Sequence, residues 1–245
     1  MTRYKLTVEY DGTPFVGWQH QANGMSVQMA LETAIEAFSQ EKVRVHAAGR
    51  TDAGVHALGQ VAHFDLEKMF PAYKVREALN YYLRPYPIAI LEVQETNEQF
   101  HARFSALERF YCYKILCRSA PPALDKKRVW YVKQPLNIEM MQQAANVLIG
   151  KHDFTTFRAS ECQASSPVRT LNSFEITQEN DLIFFKVCAL SFLHHQVRNM
   201  VGSLKLVGEN RWTPEDFKKA LEAKSRASGG PTAPPEGLYF IQVRY

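Results

Sequence analysis

Ala48-Gly49-Arg50-Thr51-Asp52-Ala53-Gly54-Val55-His56-Ala57 gathers an acid, a guanidinium, a hydroxyl, an imidazole and two glycines into one short stretch. Before it, Val43, Val45 and Ala47 alternate with Arg44 and His46; after it, Ala62, Phe64 and Leu66 alternate with Val61, His63 and Asp65. Alternation of this kind predicts two half-buried strands. The segment from Gly49 to Gln60 then reads as the connection of a hairpin, far longer than the usual ~2–5 residues. Long connections inside compact domains are more often functional than accidental. Gly49 and Gly54 let the backbone turn sharply on either side of Asp52. Two readings of Asp52 stand at this point: an acid that caps its own turn, or an acid held out for chemistry. Its Arg-Thr-Asp-Ala-Gly context weighs toward the second, and the rest of the chain must decide.

Working outward, 245 residues with 46% hydrophobic content suffice for one large domain or two ordinary ones, each with a core. Charged residues at 22% mark a globular chain, not a disordered one. A net charge of +4 permits a polyanionic partner without demanding one. Met1-Thr2-Arg3-Tyr4-Lys5 runs straight into an alternating strand with no apolar signal core. No apolar run approaches the ~20 residues that span a bilayer. The expectation is a cytoplasmic protein without a membrane partner. Cys112, Cys117, Cys162 and Cys188 form no C-x-x-C pair, and no His-Glu-x-x-His occurs. Reduced structural thiols are expected, with neither a disulfide framework nor a metal site.

In chain order, Tyr4, Leu6, Val8 and Tyr10 predict a strand ended by Asp11-Gly12. Ser26 is placed to cap a helix carrying Val27, Ala30, Leu31, Ala34, Ile35 and Phe38 at a 3.6-residue period. The two strands around the opening stretch follow. Pro71 precedes a helix with Val75, Leu79 and Tyr82 on one face, and Ile88 to Val93 predicts a further strand. The order β-α-β-β-α-β is the split unit of ferredoxin-like and RNA-recognition folds. The second half repeats the grammar as β-α-β-β-α-α-β. Its pieces are a strand through Tyr111, Tyr113, Ile115 and Cys117, and a helix capped by Asn137 and running through Leu148 to a stop at Gly150. Strands Leu171 to Ile176 and Leu182 to Ala189 are joined by Gln178-Glu179-Asn180-Asp181. Helices follow around Val197 to Val207 and after Thr213-Pro214-Glu215-Asp216, then a last strand from Leu238 to Val243. The fold class is α+β: duplicated ferredoxin-like (RRM-like) halves with a mainly antiparallel sheet and a central cleft. The halves are expected at 1–105, carrying the Asp52 loop, and 106–245.

Three further stretches carry chemistry-bearing residues. Arg103-Phe104-Ser105-Ala106-Leu107-Glu108-Arg109-Phe110-Tyr111-Cys112-Tyr113 interleaves bases with aromatics. That pattern suits nucleic acid, since guanidinium groups take phosphates while rings stack bases; it equally fits aromatics filling a sheet core. In His194-His195-Gln196-Val197-Arg198-Asn199-Met200-Val201-Gly202, a helix puts both histidines a turn before Arg198 and leaves Arg198 partly buried beside the apolar stripe. A guanidinium so placed needs a carboxylate or an anion. Ser228 to Leu238 is a Gly/Pro loop, not a phosphate loop, and reads as the lead-in to the last strand.

These residues carry a resemblance. Ala48-Gly49-Arg50-Thr51-Asp52-Ala53-Gly54-Val55-His56 resembles the signature of the tRNA pseudouridine synthase A family. Phe100-His101-Ala102-Arg103-Phe104-Ser105-Ala106 with Arg109, Tyr111 and Tyr113 resembles its second motif. Asp153-Phe154-Thr155 with Phe157-Arg158, Val197 to Gly202, Glu236-Gly237-Leu238-Tyr239 and Tyr10-Asp11-Gly12 with Phe15, Gly17, Trp18 and Gln19 match in order. One departure, Gln196 where members often carry Met, leaves the core motifs intact.

The resemblance implies isomerisation of uridine to pseudouridine at positions 38, 39 and 40 of the tRNA anticodon stem-loop, by a homodimer that uses no cofactor and no metal. It implies Asp52 as nucleophile, Arg198 as its ion-pair partner, and Tyr111 packed on the base with a part in proton transfer. Arg50, Thr51 and His56 are assigned to substrate binding, Arg50 either filling the space of an extruded uridine or holding a phosphate. An ionised carboxylate can hold one fragment while the base turns, as in glycosidases, and an adjacent guanidinium keeps it ionised. Two other readings stand beside this one: a catalytically silent RNA binder on the same fold, and a metal hydrolase using His56, His63, His194 and His195, which no ligand spacing supports.

Overall fold

The computed structural model describes residues 1–245. The first stretch builds β1 (Thr2–Tyr10), α1 (Val27–Ser39), β2 (His46–Ala47), β3 (His56–Leu66), α2 (Ala72–Tyr82) and β4 (Ile88–Thr96). β1 lies between β3 and β4 and pairs antiparallel with both. Its inward residues Tyr4, Leu6 and Val8 are fully buried, so the predicted alternation holds. Tyr4 stands opposite Phe64 in the ladder and stacks on it at 5.6 Å between ring centres. Ser26 caps α1 by accepting the Met29 N–H, which turns Val27, Ala30, Leu31, Ala34 and Ile35 into the core.

The second stretch builds β5 (Glu108–Cys117), β6 (Trp130–Val132), α3 (Ile138–Asn146), β7 (Gly150–Asp153), β8 (Val168–Glu179), β9 (Leu182–Ala189), α4 (Gln196–Gly208) and α5 (Pro214–Glu222). Strands β5, β9, β8 and β7 lie side by side, antiparallel throughout, and β6 adds to β5 in parallel. Asn137 caps α3, and Thr213 with Asp216 forms a reciprocal capping box on α5. The last strand, β10 (Leu238–Arg244), pairs in parallel with β3 through Tyr239 and Phe240. The chain accordingly divides into two compact units, Met1–Leu107 with Tyr239–Tyr245, and Glu108–Leu238. The sequence reading put all of 106–245 in the second half; backbone pairing to β3 draws the final strand to the first. The α+β class with mostly antiparallel pairing holds in each unit. All four cysteines are free thiols, and no helix is long and apolar enough to cross a membrane.

Several elements differ from expectation for local reasons. Only His46 and Ala47 pair as a strand before the Asp52 stretch. The backbone of Val45 is satisfied instead by α1, whose Glu32 carboxylate accepts its N–H at 3.0 Å and whose Gln28 amide donates to its carbonyl at 3.2 Å. β3 begins at His56, so the connection is Ala48–Val55 and shorter than the expected Gly49–Gln60. β3 is not half-buried: Gln60, Val61, Ala62, His63 and Phe64 are all buried, because strands flank it on both edges and both of its faces are covered. Tyr82 is 45% exposed, while Val75 and Leu79 alone hold α2 to the core. α3 ends at Asn146, and Gly150, at φ +100°, opens β7 and not a helix cap. β6 and β7 are too short for periodicity to reveal.

Buried His63 has His46 stacked on it at 5.1 Å and His101 edge-on at 4.6 Å. Its Nδ1 accepts the Ala102 N–H at 3.2 Å. Burial first, then the positive fields of His101, Arg3 and His46, push its pKa down to about 4. The unfolded chain, with a histidine near ~6.5, binds the extra proton first, so stability is full above that value and falls as pH drops from ~6.5 toward 4. We expect a loss of about 2 kcal/mol between pH 7 and 5 in urea unfolding. His63→Gln, which keeps an acceptor for Ala102, should flatten that loss.

Candidate functional site

The Ala48–Val55 connection is held by bonds from two neighbouring segments. Trp18 N–H donates to the Thr51 carbonyl at 3.0 Å, and Gly17 and Asp52 form an isolated antiparallel bridge. The Thr51 hydroxyl pairs with Tyr10 Oη at 2.8 Å, and Gln60 Nε2 donates to the Gly49 carbonyl at 2.8 Å. Val55 N–H closes back on the Asp52 carbonyl at 3.2 Å, with Gly54 in the left-handed region at φ +78°. Asp52 sits half-buried between buried Thr51 and buried Val55, while Arg50 is exposed. Burial pushes the Tyr10 hydroxyl up to about 12, so it stays protonated and keeps its bond to Thr51 across the working pH range.

His56, at the head of β3, is buried. Its Nδ1 accepts the Gly12 N–H at 3.1 Å and lies 3.2 Å from Asp11 Oδ1. Its ring stacks on Tyr239 at 4.8 Å. Asp11 accepts the Thr13 N–H at 2.9 Å, an Asx turn. These bracing residues, Tyr10, Asp11, Gly12, Gly17 and Trp18, were read from sequence only as a strand end and a motif. Their signal was the pair of glycines: a Cβ on Gly12 would lie 2.0 Å from the Val55 carbonyl oxygen, and one on Gly17, at φ +117°, 2.8 Å from that of Thr51.

In the second unit, Tyr111 on β5 is 9% exposed and meets Phe192 edge-on at 5.1 Å. Arg198 lies in the first turn of α4, partly buried as expected. Its Nε donates to the Ala233 carbonyl at 2.8 Å, and Ala233 N–H returns a bond to the Arg198 carbonyl at 3.1 Å. The Ser228–Leu238 loop is thus more than a lead-in; it straps α4. Gly230 N–H donates to Ser203 Oγ at 2.8 Å, Thr232 Oγ1 bonds Asn199 Oδ1 at 2.6 Å, and Tyr113 Oη donates to the Pro234 carbonyl at 2.7 Å. A Cβ on Gly202 would fall 1.8 Å from the Pro231 oxygen. The two histidines expected on this helix precede it: His195 is its N-cap residue, at φ +61°.

The first unit therefore braces Thr51 and Asp52 in one connection, with His56 directly after it at the head of β3, and leaves Arg50 at the surface; Tyr111 and Arg198 belong to the second. The sequence profile of the tRNA pseudouridine synthase family matches residues 6–105 and 144–245. The chain belongs to this family. As a member of it, the protein is an isomerase acting on tRNA. Relatives called tRNA pseudouridine synthase A are similar from end to end. That of Rhodospirillum rubrum is 56% identical over 245 residues, covering all of this chain and 88% of its own. That of Afipia carboxidovorans is 56% identical with full coverage of both. That of Agrobacterium fabrum is 53% identical over 247 residues, covering 93% of its own length. A solved Cbf5-Nop10-Gar1 complex contains a chain of 14% identity that covers 82% of this chain and 45% of its own at a TM-score of 0.37, too slight a likeness to add to this.

The close approaches at Gly17 and Gly202 generate a test. Gly17→Ala and Gly202→Ala should each destabilise by about 1–3 kcal/mol in urea unfolding, since backbone or a left-handed φ must yield. Gly17→Ala should lose activity beyond what its stability explains, because it displaces the Asp52 connection.

Proposed function

We propose that this chain converts uridine to pseudouridine at positions 38, 39 and 40 of the tRNA anticodon stem and loop, with Asp52 as nucleophile. The observation that carries the reading is a half-buried carboxylate on a short connection tied down at Gly49, Thr51 and Asp52. The reaction breaks the bond from ribose C1′ to uracil N1 and forms one from C1′ to C5. N1 gains a proton, C5 loses one, and no electrons are exchanged, so neither metal nor cofactor is required. The carboxylate holds one fragment while the base turns. Arg198 is its ion-pair partner: the Ala233 tether at Nε sets the plane of the guanidinium, and the terminal nitrogens are those that grip a carboxylate in bidentate fashion. Tyr111 packs on the base and assists removal of the C5 proton. A uridine in the stem must first be extruded, at a cost of a few kcal/mol, and exposed Arg50 fills its place or takes a phosphate. Thr51 and His56 act on the substrate through the connection they brace. The enzyme works in the cytoplasm as a homodimer, a state that sedimentation velocity would read directly.

Tritium release from tRNA carrying 5-tritiated uridine tests the assignment. Asp52→Ala and Asp52→Asn should lower kcat by more than about a thousandfold, and full activity in either would remove Asp52 as nucleophile. Arg198→Lys should lose tenfold or more, because an ammonium cannot grip both carboxylate oxygens. Activity unchanged in EDTA is expected; loss would revive the metal hydrolase. No release by the parent protein across a tRNA pool would favour the silent binder.

A further inference from the structure

We propose that the turn from His101 to Ser105 displays Phe104 as a stacking platform for an unpaired base of the RNA substrate, a contact additional to Asp52, Tyr111 and Arg198. Of the aromatics in the basic-aromatic stretch, Tyr113 is fully buried, which satisfies the sheet-core reading for it, and Tyr111 is the buried ring already assigned to the base. Phe104 does the opposite and is 75% exposed. Its ring is not loose. His101 packs against it at 4.4 Å and the Arg103 guanidinium lies 5.5 Å from its centre. The backbone beneath is tied in a closed set of bonds. Ser105 N–H donates to the His101 carbonyl and His101 N–H to Ser105 Oγ, both at 2.9 Å. Arg103 N–H donates to His101 Nδ1 at 3.1 Å, and Tyr245 Oη to the Ala102 carbonyl at 2.8 Å.

Exposure alone does not single out Phe104, since Tyr73 and Tyr81 are exposed too. Here the turn holds it out, with a cation at its side. A rigid ring beside a guanidinium fits a base and its phosphate, and such stacking is worth ~1–3 kcal/mol per base. A second copy of the chain is the other candidate occupant; the Arg103 guanidinium at the ring favours a base with its phosphate. The inference rests on tRNA being the substrate.

Filter binding of a tRNA transcript at fixed salt, together with tritium-release kinetics, tests it in the full chain. Phe104→Ala should raise Kd and KM about 5- to 150-fold, while Phe104→Trp stays near the parent. Arg103→Ala should reduce the slope of log Kd against log salt by about one. Unfolding of Phe104→Ala should match the parent, since the side chain is exposed. Binding by Phe104→Ala within twofold of the parent overturns the platform. So does a shift of that variant from dimer to monomer in sedimentation, which makes a second copy the occupant. A parent active on tRNA with an unaffected Phe104→Ala sinks this inference alone; a parent inactive on every tRNA sinks the isomerase reading and this one with it.

Discussion

Thr51 carries the bonds on which the shape of the Asp52 connection depends. Its carbonyl takes the Trp18 N–H and its hydroxyl pairs with Tyr10, so the residue beside Asp52 is gripped on backbone and side chain at once. Ordering a connection costs roughly 1–2 kcal/mol of backbone entropy per residue, and a typical hydrogen bond returns only about 1 kcal/mol net. The bonds alone do not suffice. Buried Ala48, Thr51 and Val55 supply the remainder by packing, and buried Tyr10 makes the arrangement unforgiving, since an orphaned hydroxyl there costs ~1–3 kcal/mol. A carboxylate so mounted has little backbone freedom left to lose when another group approaches it.

The second unit solves a similar problem with different means. There the element to be fixed is a long, flexible arginine, and the device is a Gly/Pro loop laid on α4. Gly202 and Gly230 allow backbone to meet helix without an intervening side chain, and the reciprocal pair between Arg198 and Ala233 fixes both partners. Arg226 adds a further clamp, donating to the Gly230 carbonyl at 2.9 Å and to Asn199 Oδ1 at 3.3 Å.

Much of this was legible in the residues and some could not be. Strand β1 and helix α1 announced themselves because each turns one face fully inward, and a one-sided environment writes a period into the sequence. β3 misled because a strand covered on both faces has no such period: His63 and Gln60 look like solvent-facing residues yet are buried with partners of their own. The return of Tyr239–Tyr245 to β3 could not be read, because strand pairing across the length of the chain leaves no local mark. Within the site, Asp52 stood out by its neighbours. The brace from Tyr10 to Trp18 did not, since a hydrogen bond between residues 41 apart, as from Tyr10 to Thr51, is invisible in either segment read alone. Phe104 was ambiguous by composition, and only its exposure separates it from Tyr111 and Tyr113.

The last strand has a consequence for how the molecule comes into being. The first unit is discontinuous: Glu108–Leu238 is spliced between its fourth strand and its parallel edge partner. As the chain emerges from the ribosome, β1, β2, β3 and β4 are made first, yet the His56–Ala57 end of β3 lacks its β10 partner and Tyr239 is absent from the face of His56. An open strand edge is a template for wrong partners, and it stays open until the whole second unit has been made. Completion of the loop bearing Asp52 is thereby tied to synthesis of the rest of the protein, so a fragment ending at Leu107 would expose that edge and lack the ring on which His56 rests.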